Sequence, residues 1–320
     1  MKRLIIVPLF VILLCCAPFL LFAEEKPAPA VASAPQPEPA ADMPFDAQVT
    51  LRVLKDGSVQ EMTVEDYLVG TLLAEMPADF PAEALRAQAI ASRTFALRKA
   101  ESGKHTGADV CTSYACCQGW TADGTASDIA RVTQAVRDTD GLILTYDGTL
   151  IDATFFSCTN GRTESALAVW GSDIPYLQSV DSPGEEDAPR YADKVVFSAD
   201  EFADRITAIC PDANLSGSPA NWIGSIERTE GGGIGTVFLG GAAIKGTALR
   251  SALGVRSTDM DFTVTEDGIT VTTHGFGHRV GFSQYGAKAM AEEGSDFQTI
   301  LAHYYPGTEI KKLLRRTAEQ

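Results

Sequence analysis

The sequence predicts an α+β fold, a strand-rich domain with one helical pair set against a groove. Three observations predict it: a helical period from Thr63 to Lys99, alternating strand patterns on either side, and strand-rich sequence resuming after Asn221. Within Gln48–Gln60, VTLRVLKDGSV alternates around Asp56-Gly57 and reads as a hairpin. Val64, Leu68 and Leu72 then recur at four-residue steps with Tyr67 beside them, giving one apolar helix face. Thr63, with Asp66 three residues on, is placed to cap that helix. Pro77 pushes Met76 out of helical geometry, so the helix ends at about Glu75. A second, alanine-rich helix starts near Pro81, with Glu83 at the favourable end of its dipole. Its stripe of Ala84, Ala87 and Ala91 admits a close neighbour, expected to be the first helix.

Farther along, DIARVTQAVRDT between Ser127 and Asp140 is helical, and GLILTYDGTLIDATFF turns at Asp147-Gly148 with alternation continuing to Phe156. That strand runs out into the polar loop Ser157–Thr163. SADEFADRITAIC, Ser198 to Cys210, reads as a capped helix. Gly231 to Gly235 is flanked by strand patterns and followed by no GK[ST], so it reads as a hairpin turn rather than a phosphate loop. The stretch ITVTTHGFGHRVGFSQYGAKAMAEEG is a glycine-dense loop running into a helix from about Ala287 to Glu293.

The chain has 320 residues, 45% hydrophobic and 21% charged, with a net charge of −16 and a pI of about 4.6. That balance excludes a nucleic-acid partner, whose phosphates need a basic face. Residues 1–23 begin Met-Lys-Arg and run apolar to Phe22, as a secretory signal or an uncleaved membrane anchor does. Lys2 and Arg3 would keep the N-terminus in the cytoplasm, so the rest is expected to be exported. Residues 24–44 alternate proline and alanine as an extended tether, leaving 45–315 as the functional domain, built as one body or as two lobes flanking a groove.

Three stretches carry candidate chemistry. Glu75 lies on the apolar face of the first helix, at its C-terminus. The helix dipole and burial both favour the protonated form, while Arg86 or Arg93 would oppose them by pairing with it. A glutamic acid that keeps its proton near neutral pH is suited to general-acid work. His105, Cys111, Cys116 and Cys117 fall within thirteen residues. They suit tetrahedral zinc, and a disulfide in an exported compartment and buried free thiols are also open on the residues alone. Finally, His274, His278, Ser283, Gln284 and Tyr285 are interspersed among glycines, offering the neutral donors and acceptors that sugar hydroxyls take.

The run LLAEMPADFPAEALRAQAIASRTFAL resembles the SpoIID/LytB family in its E-M-P, its E-A-L-R-A-Q-A and its S-R-T-F. FFSCTNGRTES with Trp170 and Pro175-Tyr176-Leu177, GFGHRVGFSQYGA, and ILAHYYPGT match further blocks, so the resemblance covers about residues 48–312. Phe282 stands where methionine is more usual. The resemblance implies a lytic transglycosylase acting on peptidoglycan, with Glu75 as the catalytic acid and base. It implies a structural zinc on His105, Cys111, Cys116 and Cys117, with Cys116 departing from the histidine found at that place in zinc-bearing members. His278, Ser283, Gln284 and Tyr285 are expected to line the groove opposite Glu75, with Arg93 and Ser157 as further substrate contacts. Trp170 is expected to pack in the core rather than on a sugar. The implied partners are glycan strands stripped of stem peptides, a cell-wall amidase and membrane proteins of a sporulation engulfment complex.

Two rival readings are discriminated by residue chemistry. Some relatives are described as amidase enhancers, so a non-catalytic glycan-binding module is the main alternative. A zinc hydrolase would need an open metal position, which four protein ligands deny. Two-carboxylate hydrolysis needs a second acid about 5–9 Å away, for which Asp66, Asp79, Glu83 and Glu164 are the candidates.

Overall fold

The computed structural model describes residues 44–265 and 268–313. The leader and all but the last residue of the tether lie outside that range. Among the described residues no helix is long and apolar enough to cross a membrane.

A short turn of helix, α1 (Phe45–Gln48), leads into the hairpin β1 (Thr50–Lys55) and β2 (Ser58–Thr63). Asp56 and Gly57 both adopt left-handed φ, 49° and 78°, the geometry that a two-residue hairpin turn of matching twist requires. The Thr63 hydroxyl accepts the Asp66 N–H at 3.0 Å and starts α2 (Val64–Glu75). Met76, ahead of Pro77, is extended and ends it. α3 (Ala82–Ser102) follows, stopped by Gly103 at φ 62°. Its alanine stripe is fully buried against neighbouring helices. β3 (Val110–Cys111) adds in parallel to β1, and α4 (Ala126–Asp138) opens with a capping box of Thr125 and Asp128. Leu51, Val53, Tyr67, Leu68, Leu72, Val132 and Val136 form the core under this layer.

The next stretch departs from the continuous strand expected. β4 (Leu142–Tyr146) and β5 (Thr149–Leu150) pair around Asp147-Gly148, but the ladder stops there. β6 (Phe155–Phe156) belongs to a different sheet. β7 (Gly161–Arg162), α5 (Ala166–Trp170) and β8 (Asp181–Ser182) complete this irregular segment.

β9 (Ala192–Phe197) and α6 (Ala199–Ile209) start a second core, continued by β10 (Ile223–Arg228), β11 (Ile234–Leu239), β12 (Ala242–Lys245), α7 (Gly246–Leu253), β13 (Met260–Thr265) and β14 (Gly268–His274). Phe197, Phe202, Ile206, Trp222, Val237, Leu249 and Val271 fill it. β15 (Phe282–Ser283) returns to the first half and pairs in parallel with β6. α8 (Gln284–Glu292) starts three residues before the expected Ala287, because the Ser283 hydroxyl accepts the Gly286 N–H at 3.3 Å. α9 (Phe297–Tyr304) and β16 (Glu309–Lys312), antiparallel to β4, close the third core, centred on Phe80, Leu85, Ile90, Phe282 and Tyr304. The α+β expectation stands, with its strands dispersed among small sheets of two or three strands.

Buried ion pairs tie these cores together. Arg93, fully buried, binds both carboxylate oxygens of Asp46 and the carbonyls of Leu142 and Val136, stapling α3 to α1 and to the end of α4. Arg279, at φ 62°, pairs with Glu164 at 2.8 Å and Asp259 at 3.3 Å, and donates to the Gly231 carbonyl at 3.0 Å. That second staple joins the glycine-rich loop to the β10–β11 turn. A Cβ at Gly233 would fall 2.4 Å from Glu164 Oε1, so the turn must be glycine there.

Candidate active site and metal cluster

Glu75 is the last residue of α2, where Pro77 stops the helix, and its half-buried carboxyl faces a groove of about 1160 Å³. Oε1 accepts the Gly119 N–H at 2.6 Å. Neither arginine named as a possible partner reaches it. Arg86 pairs with Glu83 and Asp138, and Arg93 is committed to Asp46. Glu75 makes no ion pair among the described residues, so desolvation raises its pKa above the ordinary carboxylate value, and the Gly119 N–H pulls it only partly back.

Residues 103–120 bring Gly119 to that position. His105, Cys111, Cys116 and Cys117 place their ligand atoms within 4.8 Å of one another. The His105 Nε2 lies 3.2 Å from Cys117 Sγ and 3.7 Å from Cys116 Sγ. The backbone N–H groups of Cys116 and Cys117 both donate to the Ser113 carbonyl, a tight turn that presents the two adjacent thiols to one point. All five cysteines among the described residues are free thiols. Three thiols and an imidazole converging on a common centre fit a four-coordinate metal ion by number and by chemistry. The same loop carries Tyr114, whose hydroxyl donates to the Ala74 carbonyl at 2.8 Å, one residue before the glutamate. Its ring lies against Gly119, where a Cβ would fall 2.2 Å from the Tyr114 ring.

The facing wall comes from β6, the glycine-rich loop and the start of α8. Ser157, His278, Gln284 and Tyr285 line the groove. The Ser157 carbonyl accepts the Tyr285 N–H at 3.0 Å, which locks the two segments together. His278 accepts the Val280 N–H on Nδ1 at 3.1 Å and packs between Phe156 and Trp170. Burial, then the charge of Arg250, pushes its pKa down to about 4, so it is neutral at physiological pH. Gln284 donates to Gln88 Oε1 at 3.3 Å, tying the wall to α3.

Two expected contacts are corrected. Arg93 lies in the interior staple, because its charge is consumed by Asp46. Ser283 is fully buried, donates to Glu185 Oε2 at 2.9 Å and caps α8, so it shapes the wall from behind. Of the other carboxylates considered, Asp66 serves the α2 cap, Glu83 binds Arg86, Glu164 is buried on Arg279, and only Asp79 lines the groove. Trp170, expected in the core, is 43% exposed beside His278.

Other residues escaped the sequence reading. Glu185 is buried, makes no ion pair among the described residues and accepts from Thr159, Ser182 and Ser283, and desolvation raises its pKa against those donors. Its stretch, PGEEDAPR, has no pattern that marks burial. Tyr114 was within view as part of the cysteine stretch, but nothing local shows that its hydroxyl meets the end of α2.

An α+β chain with a shielded glutamate in a groove beside a thiol–imidazole cluster is the class that fold and site define. The chain belongs to the stage II sporulation protein D family. A family model described as "Stage II sporulation protein" matches residues 55–146. Stage II sporulation protein D of Bacillus subtilis is 40% identical over 268 residues, covering 80% of this chain and 76% of that protein. The protein of the same name from Bacillus amyloliquefaciens is 38% identical over 269 residues, with the same coverage of 80% and 76%. The amidase enhancer of Bacillus subtilis is 28% identical over 291 residues, covering 76% of this chain and 40% of that protein.

Proposed function

We propose that this protein is a lytic transglycosylase that cleaves the β-1,4 bond between N-acetylmuramic acid and N-acetylglucosamine in peptidoglycan glycan strands. The observation that carries the proposal is Glu75, a carboxyl raised by burial, bonded by a single backbone N–H and open to a groove lined by neutral donors and acceptors. Its proton goes to the glycosidic oxygen as the bond to the muramyl C1 breaks. The resulting carboxylate takes the proton from the muramyl C6 hydroxyl as that oxygen closes on C1. The product is a 1,6-anhydro sugar, no water is consumed, and Glu75 ends as it began. General acid–base catalysis of this kind contributes about 10²–10⁴-fold.

The His105, Cys111, Cys116 and Cys117 cluster is proposed to hold a structural zinc. When bound, the ion would supply a fixed fold of the loop and no step of the reaction. The proposed setting is the exported side of the membrane during sporulation, with the leader as anchor or signal and a cell-wall amidase and engulfment proteins as partners. The test is mass spectrometry of products from stem-peptide-free peptidoglycan. Anhydro-muramyl ends support the reading and reducing ends indicate a hydrolase. A Glu75→Gln variant that releases product at the wild-type rate would remove Glu75 from the chemistry. No release by the wild type, with binding intact, would leave a glycan-binding module.

A further inference from the structure

Arg190 is the one lysine or arginine among the described residues that line the groove, which also holds the carboxylates of Glu75, Asp79, Asp123 and Asp128. In a chain of net charge −16, an arginine ordinarily finds a carboxylate partner. Arg228 finds Asp261 at 2.7 Å, Arg256 finds Asp193 at 3.2 Å and Arg279 finds Glu164 at 2.8 Å. Arg190, exposed at the groove edge, makes no ion pair among the described residues. Its guanidinium instead lies 5.2 Å from the centroid of the Phe276 ring, itself a groove residue. Stacking of this kind orders the guanidinium and leaves its charge unneutralised. Arg190 and Glu75 line the same groove.

The substrate supplies a matching group. Each muramic acid carries a lactyl ether whose carboxyl is an amide while a stem peptide is attached, and a free carboxylate once the peptide is removed. A guanidinium fork binds a carboxylate in bidentate fashion, and an amide offers neither the charge nor the second acceptor oxygen. An acidic protein repels an anionic strand, so one unpaired cation at the right place decides which strand enters. We infer that Arg190 is a specificity residue that binds the lactyl carboxylate of peptide-free muramic acid. This rests on the transglycosylase reading of the groove.

The test uses short muramic-acid oligosaccharides with the lactyl carboxylates either free or converted to the methylamide. Binding is measured with Glu75→Gln, which removes turnover, and with Glu75→Gln carrying Arg190→Gln as well. Loss of one charge-assisted contact is expected to weaken binding of the free carboxylate about tenfold, and Arg190→Lys to restore part of it. The methylamide is expected to bind both variants equally weakly. Equal binding of the two oligosaccharides by Glu75→Gln overturns the inference, as does an equal loss on both when Arg190 is replaced. In turnover, Arg190→Gln alone is expected to raise KM with kcat nearly unchanged, and an unchanged KM overturns the inference. If the wild type yields no anhydro ends while the carboxylate dependence of binding holds, the transglycosylase reading fails and the Arg190 assignment stands. If anhydro ends appear without that dependence, the Arg190 assignment alone fails.

Discussion

Glu75 has an acid's environment because two covalently distant features meet at it. The helical period and Pro77 put it at the end of α2, and both are plain in the chain. The partner that tunes it, the Gly119 N–H, lies 44 residues on and has no local signature. Since burial raises its pKa and the protonated form is the acid, kcat/KM should fall as pH rises through that raised value. Glu75→Gln should cost about 10²–10⁴-fold in anhydro-product rate and abolish that alkaline limb, measured on denuded glycan. Gly119→Ala places a Cβ 2.2 Å from the Tyr114 ring, so the ring or the Gly119 backbone must move. The shift it forces should lengthen the Gly119 bond to Glu75 and move the alkaline limb upward. A pH–rate profile that leaves the limb in place would show that Gly119 does not tune the acid.

At the scale of elements, the 103–120 loop and the α3 staple hold the site in shape. The four candidate ligands lie close together in the sequence, whereas only the structure shows that their ligand atoms come within 4.8 Å of one another, a histidine nitrogen among the three sulfurs. On the zinc proposal, a chelator should release the loop, lower the melting temperature and free Tyr114 from the Ala74 carbonyl. One equivalent of zinc by elemental analysis, restored with the melting temperature on re-addition, is the expected result. Arg93 and Asp46 act differently, as an ion pair that is worth little against an apolar substitute but costly to break. Asp46→Ala leaves Arg93 buried without a counter-charge and should cost about 3–5 kcal/mol in denaturant unfolding. The sequence suggests Glu75 or substrate as the partner of Arg93, because its actual partner Asp46 lies 47 residues earlier, next to the tether.

Across the whole molecule, charge sets the pH response. Burial raises the pKa of Asp46, Glu75 and Glu185. A carboxyl raised on folding binds its proton more readily in the native than in the unfolded chain. Its contribution therefore declines as pH climbs from the unfolded value, about 4.3 for glutamate, through the native one. Asp109, Asp138 and Asp296 are lowered, Asp109 and Asp138 mainly by hydrogen bonds from Arg52 and Arg86, and Asp296 by the Thr299 backbone. Their stabilisation is present above the unfolded aspartate value and is lost only as pH falls below it. Self-repulsion at net charge −16 adds to the decline at high pH. The urea midpoint should accordingly peak in mildly acidic solution and fall toward pH 8, with Glu185→Gln flattening the slope. A midpoint higher at pH 8 than near pH 5 would contradict the assignment.

Local rules determined a good deal of this protein from the chain alone. Period, caps, proline and turn dipeptides act over a few residues, so they set α2, the two Asp-Gly hairpins, the position of Glu75 and the four candidate ligands. Only tertiary structure decided which charges meet. Burial and pairing depend on groups far apart in sequence, and a single carboxylate sends Arg93 inward while the lack of one leaves Arg190 facing the groove. Ser283 shows the same division: its place before a helix was readable, but its turn toward Glu185 follows from packing between segments nearly 100 residues apart.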